Sequence, residues 1–86
     1  MTKQDLELIF ETAKQEGYSL IGVRIRTKGN ISDEVIINKK ESFDNKLEYY
    51  RKSYNDNLVL NAYNGIRIVG IVYGNTFAEI EKHIYS

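Results

Sequence analysis

Cysteine is absent from the chain, which removes disulfide staples, thiolate metal sites and cysteine nucleophiles together. Proline and tryptophan are absent as well, and histidine occurs once, at His83. A histidine pair for a metal ion therefore cannot be assembled within one chain. No sign of charge is in excess: 12 basic residues balance 12 acidic ones, so the whole-molecule field that draws basic proteins onto nucleic acid is missing. There is no signal-like apolar stretch after Met1 and no apolar run of membrane length, so the reading is of a cytoplasmic chain with no membrane role.

What is present suffices for folding. Of 86 residues, 42% are hydrophobic and 28% charged, which are ordinary proportions for a globular domain. Two cores would leave each half near the ~40 residues below which a staple is usually needed. A single α+β domain over 1–86 is expected.

Leu6, Ile9, Phe10 and Ala13 share one helical face, with Thr2 as cap and Gly17 as stop. From Tyr18 the period becomes two, with Ile21, Val23 and Ile25 on one side and Arg24 and Arg26 on the other. Lys28-Gly29-Asn30 and Ser32-Asp33 are turn formers, after which a returning strand follows over 34–38. Ser42 is placed to cap a second helix bearing Phe43, Leu47, Tyr50 and Tyr54, ended by Asn55-Asp56-Asn57. Segments 58–63 and 66–73 flank Asn64-Gly65, a dipeptide suited to a type I′ hairpin turn, which would set Tyr63 against Ile66 and Leu58 against Ile71. Thr76-Phe77-Ala78-Glu79 reads as a capping box for a last helix with Phe77, Ile80 and Ile84 on its stripe. The expected architecture is an antiparallel four-stranded sheet with helices, in the order αββαββα.

The second expected hairpin is apolar on both faces, unlike a sheet with one wet side. Either helices divide between the faces, or loops cover a central hairpin, or one face docks a partner. The third option makes Val59, Tyr63, Ile66, Ile68 and Val72 an interface, with Tyr49 and Tyr73 beside it, because tyrosine joins rigid apolar area to a polar tip. Self-association in a homodimer is the simplest such contact.

Arg24, Arg26 and Lys28 alternate along one strand and form a small basic stripe, with Lys39 and Lys40 just beyond its neighbouring strand, which makes nucleic-acid contact the alternative. His83 reads as an end-of-helix histidine facing the dipole. The carboxylate pairs Glu7/Glu11 and Glu79/Glu81 lie on solvated helix faces without loop spacing for a metal. No catalytic residue, metal ligand or cofactor is expected, and a non-enzymatic protein-binding role follows.

A short chain without cysteine or proline and rich in Lys, Asn, Ile and Tyr resembles the small proteins of phages and mobile elements in AT-rich bacteria, including anti-CRISPR-type inhibitors. That resemblance implies an inhibitor of a host protein. The chain's neutral charge further implies recognition by shape and aromatic contact rather than nucleic-acid mimicry.

Overall fold

The computed structural model describes residues 1–85. Helix α1 (Lys3–Glu16) begins with the Thr2 hydroxyl accepting from Asp5 N–H while the Asp5 carboxylate accepts from Thr2 N–H, and it ends at Gly17 in the left-handed region. Strands β1 (Leu20–Thr27) and β2 (Glu34–Lys39) form an antiparallel hairpin. A short 3₁₀ turn (Lys40–Ser42) leads into α2 (Phe43–Ser53), where Ser42 stands at the cap without making a capping hydrogen bond. Strand β3 (Ile66–Gly74) then lies along the other side of β1, and α3 (Phe77–Ile84) closes the chain. The sheet has three strands in the order β2-β1-β3, all antiparallel.

The expected fourth strand does not form, and the element order is αββαβα. The reason lies in the polar residues after α2. Asn55 Oδ1 accepts from the backbone N–H of Asn57 and Val59, at 2.9 and 3.0 Å. Asn61 turns back onto the helix end, its N–H donating to Ser53 O (2.8 Å) and its side chain to Lys52 O (3.2 Å). Carbonyls orphaned at a helix terminus are thereby satisfied, and residues 54–61 curl back against the end of α2, meeting β3 only over its first residues. Leu58, at φ 61°, makes the sharp reversal this wrapping requires.

Only a single bridge, Val59 with Arg67, remains of the expected hairpin, flanked by Leu60 N–H to Ile66 O and Ile68 N–H to Leu58 O, each 2.9 Å. The pairing of Tyr63 with Ile66 and Leu58 with Ile71 is therefore replaced by a shifted register and a longer loop. Ile66 N–H does reach Tyr63 O across the Asn64-Gly65 turn, but neither central residue has positive φ, so the turn is not type I′.

The helices divide between the two sheet faces. On one side α1 and α2 pack Leu6, Phe10, Ala13, Phe43, Leu47 and Tyr50 over Ile21, Val23, Ile25, Ile68 and Ile71. Phe10 is central, meeting Phe43 and Tyr50 edge-on at 5.9 and 6.0 Å between ring centroids. On the other side α3 sets Ile80 and Ile84 on Leu20, with Val35, Ile37 and Val72 around them. Close approach there depends on Gly22, where a Cβ would overlap Ile80 Cγ2. Among the described residues no helix is long and apolar enough to cross a membrane.

Candidate functional site

The free edge of β3 is the site that the backbone itself defines. Carbonyl and amide directions alternate along an antiparallel strand. Lys28 N–H donates to Gly65 O (2.7 Å), and the β1–β3 pairing carries this alternation back along β1, so that Arg26, Arg24 and Gly22 bond to β3. Ile25, Val23 and Ile21 bond to β2, and Lys40 N–H to Ser19 O (2.9 Å) continues that ladder.

On β3, Arg24 pairs with Gly70 and Ile25 with Ile68, which leaves Val69 as a bulge. Beyond the bulge, Gly70, Val72 and Gly74 bond inward, and the main-chain groups of Ile71 and Tyr73 point outward. They meet no hydrogen-bond partner among the described residues, because the 58–60 segment stops at Ile68. A groove of about 390 Å³ runs along this edge, walled by Ile9 of α1 and His83 of α3, with Ile71, Val72 and Tyr73 as its floor. Tyr73 is held in place by stacking on Tyr18, with centroids 4.4 Å apart.

The bulge also redistributes the residues expected to form one docking face. One extra residue in a strand moves all later side chains to the opposite surface. Ile66 and Ile68 thus face α1 and α2, as do Ile71 and Tyr73, whereas Val72 faces α3. Ile68 is 2% exposed, in the core. Val59 is half-buried beside Arg67, and Tyr63 lies exposed on the loop with its ring against Gly65. Tyr49 is exposed on α2, edge-on to Tyr50 at 5.4 Å. The seven residues form no single surface. Two of them, Val72 and Tyr73, meet at the β3 groove.

The basic stripe is neutralised in part, one carboxylate serving two of its three cations. Asp33, read from sequence only as a turn former, accepts from Arg24 Nε at 2.7 Å and from Arg26 Nε and Nη2 at 3.1 and 3.0 Å. The hydrogen bond from Arg26 holds the Asp33 carboxyl below the usual carboxylate range, with Arg24 adding to the effect against partial desolvation. Arg24 is further engaged, its guanidinium 4.7 Å from the Tyr85 ring centroid and Nη1 donating to Ile84 O at 3.4 Å. Lys28 is exposed past the end of β1. Lys39 and Lys40 lie at the other end of the β1–β2 ladder, where Lys39 opposes Leu20, so they do not extend the stripe.

Burial pushes the Tyr50 phenol up to about 12. Its hydroxyl and Asn38 Oδ1 are both buried without a completed hydrogen bond, although Asn38 is near enough to oppose the shift in part. Both point into the core between sheet and helices, away from any groove. Among the described residues, no three His, Asp or Glu side chains gather as a metal site.

Compared with known protein families, with curated proteins and with solved structures, the chain matches none.

Proposed function

We propose that the chain is a non-enzymatic protein-binding module that takes an extended segment of a partner protein as an added strand along β3. The observation that carries this reading is the outward pair of main-chain donors and acceptors at Ile71 and Tyr73, set in a groove with an apolar floor. Backbone hydrogen bonds along a free edge supply affinity, and pockets for alternate side chains supply specificity. The open stretch from Val69 to Tyr73 accommodates about five residues of partner, or ~17 Å of strand. Recognition of this kind suits an inhibitor from a phage or mobile element, whose composition the chain resembles, because occupying a partner's segment needs no catalytic group. Nucleic-acid contact through Arg24, Arg26 and Lys28 is the weaker reading, since both arginines already satisfy Asp33.

Selection of a random peptide library on the immobilised protein tests the proposal, with Tyr73→Pro as the control. Proline at 73 deletes an N–H that the β1–β3 ladder does not use and blocks strand addition. Enriched peptides should alternate apolar and polar residues, and they should lose at least about tenfold in affinity for the variant. Failure to enrich any sequence, or peptides indifferent to Tyr73→Pro, would reject the site.

A further inference from the structure

We infer that the opposite edge of the sheet, β2, joins two copies of this chain into an antiparallel dimer. This goes beyond strand capture at β3 and uses a separate surface. The β1–β2 ladder takes the main-chain groups of Glu34, Ile36 and Asn38, so those of Val35 and Ile37 point outward and meet no partner among the described residues.

The charges along this segment identify the occupant. It starts with Glu34 and ends with Lys39-Lys40, and all three are exposed without an ion pair among the described residues, whereas Asp33 is already held by Arg24 and Arg26. An antiparallel copy lays acid on base at both ends, while a parallel copy sets like on like. A register displaced by one residue would put outward groups against inward ones and form no ladder. A two-fold axis through Ile36 satisfies both conditions: Val35 pairs with Ile37 of the second copy, and Glu34 comes beside Lys40.

The α3 side of the same edge supplies apolar area. Val35 and Ile37 floor a groove of about 250 Å³ rimmed by Phe77 and Tyr85, which are 62% and 57% exposed. Phe77 was expected on the buried stripe, and its exposure beside an open edge is accounted for by this pairing. The two-fold brings both grooves together along the seam. Strand β3 lacks the polarity that favours self-pairing, since Val69 to Gly74 carries no charge.

Sedimentation equilibrium at low salt, from dilute solution to about 0.5 mM, is the test. The mass should rise from 10.0 kDa toward twice that value, and added salt should weaken the association. Lys39→Glu with Lys40→Glu should raise the dissociation constant at least about tenfold. Ile37→Pro, which removes an outward N–H and spares the β1–β2 ladder, should leave a monomer. Circular dichroism confirms that the variants fold, and the surface charge pair carries the test if Ile37→Pro does not. Tyr73→Pro should leave the dimer intact, which keeps this result independent of peptide capture at β3. A 10.0 kDa species at every concentration would overturn the inference. So would a dimer untouched by the charge pair, or a monomer whose β2 edge accepts only a foreign peptide.

Discussion

Replacing Gly22 with alanine adds one methyl group where α3 lies closest to the sheet. The new Cβ would overlap Ile80 Cγ2, while its next neighbours, Ile37 Cδ1 and Ile80 Cβ, stand at an ordinary 3.7 Å. The offending methyl sits on a β-branched carbon next to the helix backbone and cannot swing aside as a long side chain would. Overpacking of this size costs about 1–3 kcal/mol, and the reduced freedom of the unfolded chain returns about 0.4–1 kcal/mol. A net loss of about 0.5–2 kcal/mol is expected. Because α3 is anchored by two buried residues, Ile80 and Ile84, it should absorb the strain by lifting from Leu20. Urea denaturation measures the loss, and melting should fall by about 4–8 °C per kcal/mol for a domain of this size. Ile80→Leu moves the branch off Cβ and should recover about 1 kcal/mol in a double-mutant cycle. A neutral or stabilised Gly22→Ala, or an absence of coupling to Ile80→Leu, would refute the close approach described here.

Two further outcomes follow from the core. Tyr50 titrates from an ordinary 10.0 to about 12 on folding, so its contribution is complete below pH 10 and lost as pH rises toward 12. That amounts to about 2–3 kcal/mol, and alkaline unfolding followed by circular dichroism should come at higher pH in Tyr50→Phe. Ile68→Asp, which an exposed hairpin face would tolerate, should instead cost more than about 4 kcal/mol by burying an unpaired carboxylate, and the variant should give the circular dichroism of an unfolded chain. A folded Ile68→Asp protein would contradict the placement of that residue under α1 and α2.

The parts of the fold that local chemistry dictates were readable along the chain. Thr2, Asp5 and Gly17 bound α1 as their chemistry requires, and the alternation of Ile21, Val23 and Ile25 marks β1 as a strand with a buried side, although its central place in the sheet was not legible. The segment after α2 was not readable, because Asn55 and Asn61 choose between strand and helix cap according to where α2 ends, and their partners Val59, Lys52 and Ser53 are set by that choice. The bulge was legible in part: a glycine within a strand, as at Gly70, marks a bulge or close packing, but only the pairing with β1 shows the supernumerary residue to be Val69. Apolar residues on both faces of the second expected hairpin were visible, and they left helical cover on both sides and a docking face as alternatives. They serve two layers of the chain's own helices, while the open edges lie in the backbone, which side-chain pattern does not report. Asp33 was visible only as a turn residue, since its bond to both arginines depends on the path of the β1–β2 loop.

Amide hydrogen exchange along β3, read by NMR on the dilute free protein, tests the availability of its edge without any partner. Val72 and Gly74 should be protected by the β1 ladder, and Ile71 and Tyr73 should exchange far faster, becoming slow only when a selected peptide is bound. Ile71 and Tyr73 amides as protected as Val72 in the free protein would mean that the edge is already covered, and would contradict strand capture at β3.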